Sequence, residues 1–495
     1  MSDAPRLRVV AAQCFERDVR LRLPFRFGAA TVEAAPQAFV RVRVRLADGR
    51  EAEGAAAEMM IPKWFDKSPG KSADHNVDDL RDALHDARDA YVSDSRGATA
   101  FGHCAAHYPA LQQRGAAAGR PALVTGFGGA LLDRALLDGL CRALGISFAS
   151  AVRGNAPGIT DALAPDLHGF GFTKFLSTRV MPDVVHVRHT IGLTDPLHAD
   201  GATPFPADGL PATLIDVIAR YRPRHFKVKL TGDPVADVDR LAAIAAVLER
   251  VPDYAVTLDG NEQFQDASAV RAFTEMLCSD PRTARLARVV LYLEQPLSRE
   301  RSLDTDMGGV AGAMPLLIDE SDATYATFPA ARGRGYTGVS SKSCKGIYKS
   351  FVNAMRCAQW NAECGAPLCF VSGEDLTTQA GLAVQQDTAL AALLGITHVE
   401  RNGHHYVNGF SGQGAPVAEQ EDFRSAHPGL YEGAPGAVRL RLSGGVLLLA
   451  SFDAPGFASG AMPDFAAMTP LKARGATNAA TSRIAQPAEH IGSPE

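Results

Sequence analysis

Short apolar runs in the second half of the chain each end on a charged residue, and they recur at steady intervals. The intervals between the five charged ends are 30, 35, 25 and 23 residues. One strand with its following helix has about this length, so five parallel strands are predicted to bring their ends to one face of a sheet. The five charged ends are Lys229, Asp259, Glu294, Asp319 and Lys342.

The alternation of strand and helix patterns extends from residue 184 to about residue 415. Strands are predicted near residues 185, 227, 256, 291, 317, 339, 369 and 397. Eight strands separated by helical stripes are typical of a (β/α) barrel with short connections. We therefore place a catalytic barrel at residues 184–415.

The N-terminal part has a different pattern. Residues 7–10 and 39–46 alternate apolar and basic side chains, as a half-exposed antiparallel sheet does, and a third strand is predicted at 51–60 after the turn at Asp48-Gly49. An apolar helical stripe follows, and a second helix is predicted from about residue 129 to 144 with Gly145 as its C-cap. We assign residues 1–155 to an α+β domain. The stripe consists of Val77, Leu80, Leu84, Ala87 and Tyr91.

Three further segments complete the expected organisation. Residues 155–183 are rich in Gly, Pro and Asp and are interpreted as a connector with an insertion. Segment 416–470 returns to a β pattern at 437–442 and 445–449. Residues 471–495, rich in Ala, Thr, Ser and Gly, are predicted to form a loosely held tail.

Composition narrows the function classes. The 495 residues carry a net charge of −5 and no basic block, so we expect no nucleic-acid partner. No signal sequence and no apolar stretch of membrane-spanning length are recognisable, so we expect no membrane partner. Eight scattered cysteines without a Cys-x-x-Cys pair indicate reduced thiols rather than a zinc site. We expect a cytoplasmic protein and a homo-oligomer.

The charged ends suggest a metal-assisted chemistry. Asp259, Glu294 and Asp319 are hard oxygen ligands that suit Mg²⁺, and a substrate carboxylate on that ion could be stabilised as an enediolate. Lysines would carry the proton, and crowding Lys227 against Lys229 would lower the pKa of one of them. A carboxylate after a strand commonly caps the next helix, and a Lys-x-Lys pair is commonly a solvated strand face. The regular spacing of the whole set favours a site.

These residues carry a family resemblance. They resemble the ordered active-site motifs of the enolase superfamily, and more closely its muconate lactonizing enzyme-like subgroup within the mandelate racemase/muconate lactonizing enzyme family. The resemblance covers roughly residues 10–415, including two loop segments at 23–28 and 62–66. Its motifs are Lys227-Val228-Lys229, Asp259-Gly260-Asn261, Glu294-Gln295-Pro296, Asp319-Glu320-Ser321 and Lys342.

The resemblance implies a fold and a set of roles. The expected fold is α/β: a modified (β/α)7β TIM-type barrel with an N-terminal α+β capping domain that the C-terminal segment completes. One Mg²⁺ would be held by Asp259, Glu294 and Asp319. Lys229 and Lys342 would be acid/base groups on opposite faces of the substrate. Lys227 would tune Lys229 and could touch the substrate carboxylate.

Four residues are candidates for binding a small carboxylate substrate: Asn261, Glu320, Glu374 and Trp64. Glu374 or its neighbour Asp375 could orient Lys342 or a substrate group, or cap a helix. Trp64 and Phe65 could form a lid that excludes water, or simply pack between domains. Lys345 is interpreted as loop or helix start rather than as catalytic, and the segment 401–405 could contact the far end of the substrate.

Three functions remain open at this point. The first is a Mg²⁺-dependent racemase or epimerase that abstracts a proton α to a carboxylate. The second is a cycloisomerase or syn-dehydratase, a lyase that uses the same half-reaction with a single proton-carrying lysine. The third is a catalytically silent barrel that only binds.

Overall fold

A computed structural model describes residues 4–28, 30–199 and 205–472. Its N-terminal part is an antiparallel sheet of β1 (Leu7–Phe27), β2 (Ala30–Leu46) and β3 (Glu51–Met59), in which β2 lies between the other two. Val40, Val42 and Val44 of β2 are buried while the basic residues between them are more exposed. Because successive strand residues point to opposite faces, one face of this sheet packs on helices.

Three helices cover that face: α1 (Ala73–Ser93), α2 (Ala100–Ala117) and α3 (Ala122–Leu144). The predicted apolar stripe is the buried side of α1, and Ser72 caps this helix by accepting a hydrogen bond from the His75 N–H. Gly145 has the left-handed conformation (φ 67°) predicted for the C-cap of α3. The sequence did not reveal α2, and α3 begins at Ala122 rather than near residue 129.

A connector leads from this layer to the barrel. It contains α4 (Phe148–Arg153), 3₁₀ turns at Asp161–Leu163 and Pro165–Leu167, and α5 (Phe172–Ser177). Phe148 at the start of α4 stacks on Phe457 with ring centroids 3.8 Å apart. The connector is therefore packed against the C-terminal segment.

Eight parallel strands form a closed barrel in sequence order, because β11 pairs with β4. Each predicted strand position lies in or next to an observed strand. The strands are β4 (Val184–Ile191), β5 (His225–Lys229), β6 (Ala255–Asp259), β7 (Val290–Glu294), β8 (Leu316–Ile318), β9 (Gly338–Ser341), β10 (Phe370–Gly373) and β11 (His398–Arg401).

Helices follow the first seven barrel strands, whereas β11 is followed by the single-turn α15 (Gly403–Tyr406). The expected (β/α)7β architecture is thus confirmed. The helices are α6 (Leu214–Tyr221), α7 (Pro234–Leu248), α8 (Ala267–Ser279), α9 (Ala284–Arg288), α10 (Arg301–Asp304), α11 (Gly308–Ala311), α12 (Thr327–Arg332), α13 (Ile347–Cys364), preceded by a 3₁₀ turn at Ser343–Lys345, and α14 (Leu382–Leu393).

The C-terminal segment contacts both parts of the molecule. Strand β14 pairs antiparallel with the barrel strand β4, and β15 pairs antiparallel with β1 of the N-terminal sheet. The last strand therefore completes the N-terminal sheet, as expected for the fold. The elements are a 3₁₀ turn at Gly409–Gln413, α16 (Val417–Ala426), β12 (Tyr431–Ala434), β13 (Ala437–Leu440), β14 (Val446–Leu448), 3₁₀ turns at Ala450–Asp453 and Phe465–Ala467, and β15 (Thr469–Pro470).

The predicted domain boundaries stay predictions, and residues 473–495 of the predicted tail lie outside the described part of the chain. Within the described residues, none of the helices has the length and hydropathy needed to cross a membrane. The cytoplasmic location and the homo-oligomeric state also stay predictions.

Candidate active site

Strand register brings the predicted site residues side by side at the carboxyl ends of the barrel strands. Lys229 pairs with Asp259 across β5 and β6, and Asp259 pairs with Glu294 across β6 and β7. Asp319 directly follows β8 and Lys342 directly follows β9. Side chains of these residues are buried, between 0% and 5% exposed. Five separate segments of sequence therefore form one cluster.

The pattern of β5 explains the orientation of its lysines. Phe226 and Val228 belong to the apolar core between the strands and the outer helices. Because the side-chain period of a strand is two, Lys227 and Lys229 share the opposite face, which is the barrel interior.

Four carboxylates surround Lys227. Its Nζ lies 2.9 Å from Asp259, 2.8 Å from Glu294, 2.7 Å from Glu374 and 3.0 Å from Glu400. Burial alone would favour the neutral amine, but these negative charges raise the pKa of Lys227 well above its ordinary value. Lys227 is therefore a fixed positive charge at the centre of the barrel.

Glu294 is the least satisfied carboxylate of the cluster. Although Oε2 lies 2.8 Å from Lys227 Nζ, neither oxygen of Glu294 accepts a hydrogen bond within the described residues. Burial, together with the negative charges of Asp259 and Glu374, raises the pKa of Glu294 well above its ordinary value. A buried carboxylate with two open oxygens beside further acids can accept a cation, and an all-oxygen donor set fits Mg²⁺.

Asp319 is flanked by lysines. Lys342 Nζ donates to Oδ2 at 2.5 Å, and Lys345 Nζ lies 3.3 Å from Oδ1. Burial opposes ionisation of Asp319, but the charges of Lys342 and Lys345 hold its pKa well below the ordinary range. Lys345 lies in the 3₁₀ turn before α13, in keeping with its interpretation as loop or helix start, and it is buried beside the site.

A cavity lies between the barrel mouth and the N-terminal sheet, with about 390 Å³ of empty space, part of it open to solvent. Lys229 and Lys342 both line it. Strands β5 and β9 are four positions apart in a closed ring of eight, so the two lysines stand on opposite walls. Its lining residues are Phe25, Phe27, Val32, Ile61, Trp64, Lys229, Asn261, Lys342, Asp375, Leu376, Thr377, Glu400 and Asn402.

The N-terminal domain places an aromatic ring over each lysine. Trp64 lies 4.2 Å from Lys342 Nζ, and Phe25 lies 5.8 Å from Lys229 Nζ, as measured to the ring centroids. Arg299 of the barrel donates to the backbone carbonyls of Trp64 and Phe65 at 3.0 and 2.8 Å. The segment that carries Trp64 is thus tied to the barrel as well as covering the cavity.

Two lining residues have unusual backbones. Asn261 has a φ of 41° and Thr377 a φ of 55°, in the left-handed region that branched side chains rarely adopt. Such conformations persist where the surrounding structure enforces them, and they concentrate at functional sites.

A family model supplies the decisive comparison. The model described as "Enolase C-terminal domain-like" matches residues 212–430, which span most of the barrel. The barrel of this chain is enolase C-terminal domain-like. The expectation of an enolase-superfamily enzyme with the general enolase-type reaction is confirmed.

Solved structures of other enolase-superfamily proteins show the same fold. A muconate lactonizing enzyme from Pseudomonas fluorescens, complexed with muconolactone, is 18% identical, with 92% of this chain and 97% of that chain covered and a TM-score of 0.54. The L-Ala-D/L-Glu epimerase from Bacillus subtilis is 16% identical, with 91% and 98% covered and a TM-score of 0.56. A dipeptide epimerase from Enterococcus faecalis, complexed with Mg and L-Leu-L-Tyr, is 13% identical, with 91% and 99% covered and a TM-score of 0.57. Among curated proteins, none matches this sequence closely enough to be counted as a relative.

The four predicted substrate residues occupy different depths of this enolase-superfamily site. Asn261 and Trp64 line the cavity. Glu320 lies behind Asn261 and accepts a hydrogen bond from its Nδ2 at 3.2 Å. Glu374 lies deeper, where Lys227, Tyr292 and Arg188 contact its carboxylate, so it does not reach the cavity wall. Glu320 and Glu374 are therefore placed to position other residues.

Three residues of the site were not predicted: Arg188, Tyr292 and Glu400. Lys345 was interpreted as non-catalytic, and Asn402 belongs to the segment 401–405 that the sequence analysis expected to contact the far end of the substrate. Glu400 had a usable signal, because it lies near the end of the eighth strand as the other charged residues do on theirs. Arg188 and Tyr292 lie inside strands, and no spacing rule of the sequence points to them.

One other group of acid and histidine side chains lies in the N-terminal domain. Ligand atoms of Asp94, His103 and His107 are within 4.8 Å of one another. Arg96 donates to both oxygens of Asp94, at 2.8 and 3.0 Å. The carboxylate is thus already neutralised, and we assign no metal to this group.

Proposed function

We propose that the protein is a Mg²⁺-dependent racemase or epimerase that removes and returns a proton at the carbon α to a carboxylate of a small substrate. The observation that carries this proposal is the placement of Lys229 and Lys342 on opposite walls of one cavity. A reaction that inverts a carbon centre needs a base on one face and an acid on the other.

Asp259, Glu294 and Asp319 would hold the Mg²⁺. When bound, the ion would supply positive charge to the substrate carboxylate and so stabilise the enediolate that forms when the α-proton leaves. The open oxygens of Glu294 and the all-carboxylate donor set support this assignment. In one direction Lys229, as a neutral amine, takes the α-proton. The Lys342 ammonium then donates a proton to the opposite face, and the reverse reaction exchanges these roles.

The two lysines are tested by isotope exchange in D₂O with both enantiomers of a panel of chiral carboxylates. Lys229→Ala should lose exchange of one enantiomer by ~10²-fold or more and keep exchange of the other, which Lys342 serves. Lys342→Ala should show the mirror-image result. Lys174→Ala is the control, because Lys174 is exposed on α5 and is not among the residues that line the cavity. Unchanged α-proton exchange of both enantiomers in both lysine variants would contradict the proposal.

The metal assignment is tested by calorimetry, without reference to activity. Asp259→Asn should weaken Mg²⁺ binding by ~10-fold or more, because a ligand charge is removed. Asp133→Asn is the matched control: Asp133 is also buried, its partner is the neutral Tyr91 hydroxyl, and burial raises its pKa to about 7, so a neutral side chain is tolerated there. Equal Mg²⁺ affinity in wild type and Asp259→Asn would refute the assignment.

One observation favours a lyase, either a cycloisomerase or a syn-dehydratase, as the second candidate. Lys342 is held by Asp319 at 2.5 Å and covered by the Trp64 ring, an arrangement that stabilises its charged form. In a lyase Lys342 would supply only electrostatic stabilisation while Lys229 moves protons. Exchange abolished for both enantiomers by Lys229→Ala, and lowered for both alike in Lys342→Ala, would favour this candidate.

A further inference from the structure

Asn402 places an unpaired hydrogen-bond acceptor in the cavity. Its Nδ2 donates to Glu400 Oε1 at 3.3 Å, and an ionised carboxylate can only accept, so this contact fixes the orientation of the amide. Its Oδ1 is buried and has no hydrogen-bond partner within the described residues. Asn402 is 2% exposed and lines the cavity that holds both lysines. A buried acceptor without a donor is costly, which points to a donor on the bound molecule.

The acids next to Asn402 are already satisfied. Glu400 accepts hydrogen bonds from Thr190 at 2.6 Å, Lys227 at 3.0 Å and the Asp375 N–H at 2.8 Å. Asp375 accepts from Thr378 and from the Asn402 N–H. These carboxylates therefore have little capacity left for a charged ligand group, and Lys229 and Lys342 would repel an ammonium ion. The donor that fits is neutral.

Most of the remaining wall is apolar. The exceptions are Thr377 and Asn261, whose buried Oδ1 likewise has no hydrogen-bond partner within the described residues. The N-terminal domain contributes Phe25, Phe27, Val32, Ile61 and Trp64, all buried, and Leu376 adds to them from the barrel. An apolar substituent on the ligand would be covered by this surface, whereas a second charged group would lose its hydration without gaining a partner.

We propose that Asn402 is a specificity-determining residue that accepts a hydrogen bond from a neutral hydroxyl or amide N–H of the substrate. The substrate class is a carboxylate that carries one such donor and an apolar substituent. This inference rests on the proposed function for the location of the carboxylate, but the acceptor itself is a property of Asn402 and its neighbours.

The first test uses wild-type protein with Mg²⁺ and two matched sets of acids. One set is 2-hydroxy-3-phenylpropanoate, its O-methyl ether and 3-phenylpropanoate. The other is N-acetylphenylalanine and its N-methyl derivative. Binding by calorimetry and α-deuteration in D₂O are both measured. The donor-bearing member of each set should bind and exchange ~10²-fold better than members without the donor, because only it satisfies Oδ1.

The second test uses Asn402→Leu, which removes the acceptor at similar volume. The preference for donor-bearing acids should fall to within ~3-fold, while binding of 3-phenylpropanoate is kept or improved. Leu376→Met is the matched control, because it alters the same cavity at constant volume and should keep the preference. Thermal unfolding of both variants checks that they are folded.

The outcomes separate this inference from the proposed function. If acids bind or exchange without regard to the donor, or if Asn402→Leu keeps the preference, the role of Asn402 is refuted and the racemase proposal stands. If wild type exchanges no α-proton in any of these acids or in the wider carboxylate panel, the racemase proposal fails. In that case a donor preference in binding that Asn402→Leu abolishes still supports the acceptor role.

Discussion

At the scale of single residues, the surroundings of Lys227 bear on the roles that the sequence analysis gave it. The sequence analysis gave it two roles, tuning Lys229 and touching the substrate carboxylate. Its ammonium group is enclosed by four carboxylates, it is 1% exposed, and it is not among the residues that line the cavity. Contact with substrate is therefore not supported, and its effect on the pKa of Lys229 stays a prediction.

Asp133 gives a prediction about pH at the same scale. This residue of α3 is fully buried and accepts a hydrogen bond from the Tyr91 hydroxyl at 2.7 Å. Burial raises its pKa from 3.8 to about 7. Between these values the folded state keeps a proton that the unfolded state has lost, so this group's contribution to stability falls as pH rises.

Asp133→Asn stays neutral at every pH and should escape that loss. The free energy of unfolding of the variant relative to wild type should therefore increase from about pH 4 to pH 7, by up to ~4 kcal/mol. Urea denaturation at several pH values measures it. Glu275→Gln, an exposed carboxylate of α8, should show little such trend. A difference between Asp133→Asn and wild type that does not change with pH would be contrary to this account.

At the scale of elements, two of the four glycines in α3 have opposite surroundings. A Cβ at Gly128 would lie 2.1 Å from the Ala83 carbonyl oxygen and 2.8 Å from Leu84 Cα, so α1 and α3 can pack closely only without a side chain there. A Cβ at Gly126 would meet its nearest atom, the Gln112 amide nitrogen, at 3.8 Å. One helix thus offers a close contact and a matched open position.

Gly128→Ala should destabilise the protein by about 1–3 kcal/mol or more, because the clashing atoms belong to the backbone of α1. Gly126→Ala should stabilise it by ~0.5–1 kcal/mol, since alanine loses less conformational entropy in a helix. Chemical denaturation of both variants measures the difference. Equal effects of the same sign would mean that α1 and α3 do not pack as described.

The barrel elements were more predictable than the helices of the N-terminal domain, for a physical reason. Each barrel strand is a short apolar run between polar segments. Five of these runs end on a charged residue, and the regular intervals between those residues predicted the strand-and-helix repeat. Helix α2 mixes alanine, histidine and glycine and contains Pro109, so its sequence has no clear apolar stripe. Lys345 and Glu400 contact side chains from distant segments, and the Asn402 N–H donates to Asp375, so spacing along the chain does not reveal these contacts.

At the scale of the whole molecule, the N-terminal domain and the barrel share a core. One continuous apolar cluster contains Val40 of β2, Leu136 of α3, and Val187 and Val399 of the barrel. Arg134 of α3, fully buried, also joins Glu58 of β3 at 3.0 Å to Ser343 beside the site at 2.9 Å. The two parts should therefore lose their structure together.

The sequence contains two tryptophans, which permit a direct test. Trp64 lies on the N-terminal domain and Trp360 lies in α13 of the barrel. Trp64→Phe leaves Trp360, whose fluorescence reports unfolding of the barrel, and Trp360→Phe leaves Trp64, whose fluorescence reports unfolding of the N-terminal domain. In each variant the unfolding transition seen by fluorescence should coincide with the transition seen by circular dichroism. Separated transitions within one variant would show that the parts unfold independently.

The enclosure of Lys227 also has a consequence for how ligands would influence each other. Five carboxylates at the floor of the site are matched by five cations: Asp259, Glu294, Asp319, Glu374 and Glu400 against Lys227, Lys229, Lys342, Lys345 and Arg188. When all ten groups are ionised, their net charge is zero. A bound divalent cation then adds positive charge, which the carboxylate of an incoming substrate partly neutralises. Metal and substrate should then bind with positive cooperativity, and thermodynamic reciprocity requires the same factor in both directions. The enzyme would hold either partner weakly alone and both firmly together.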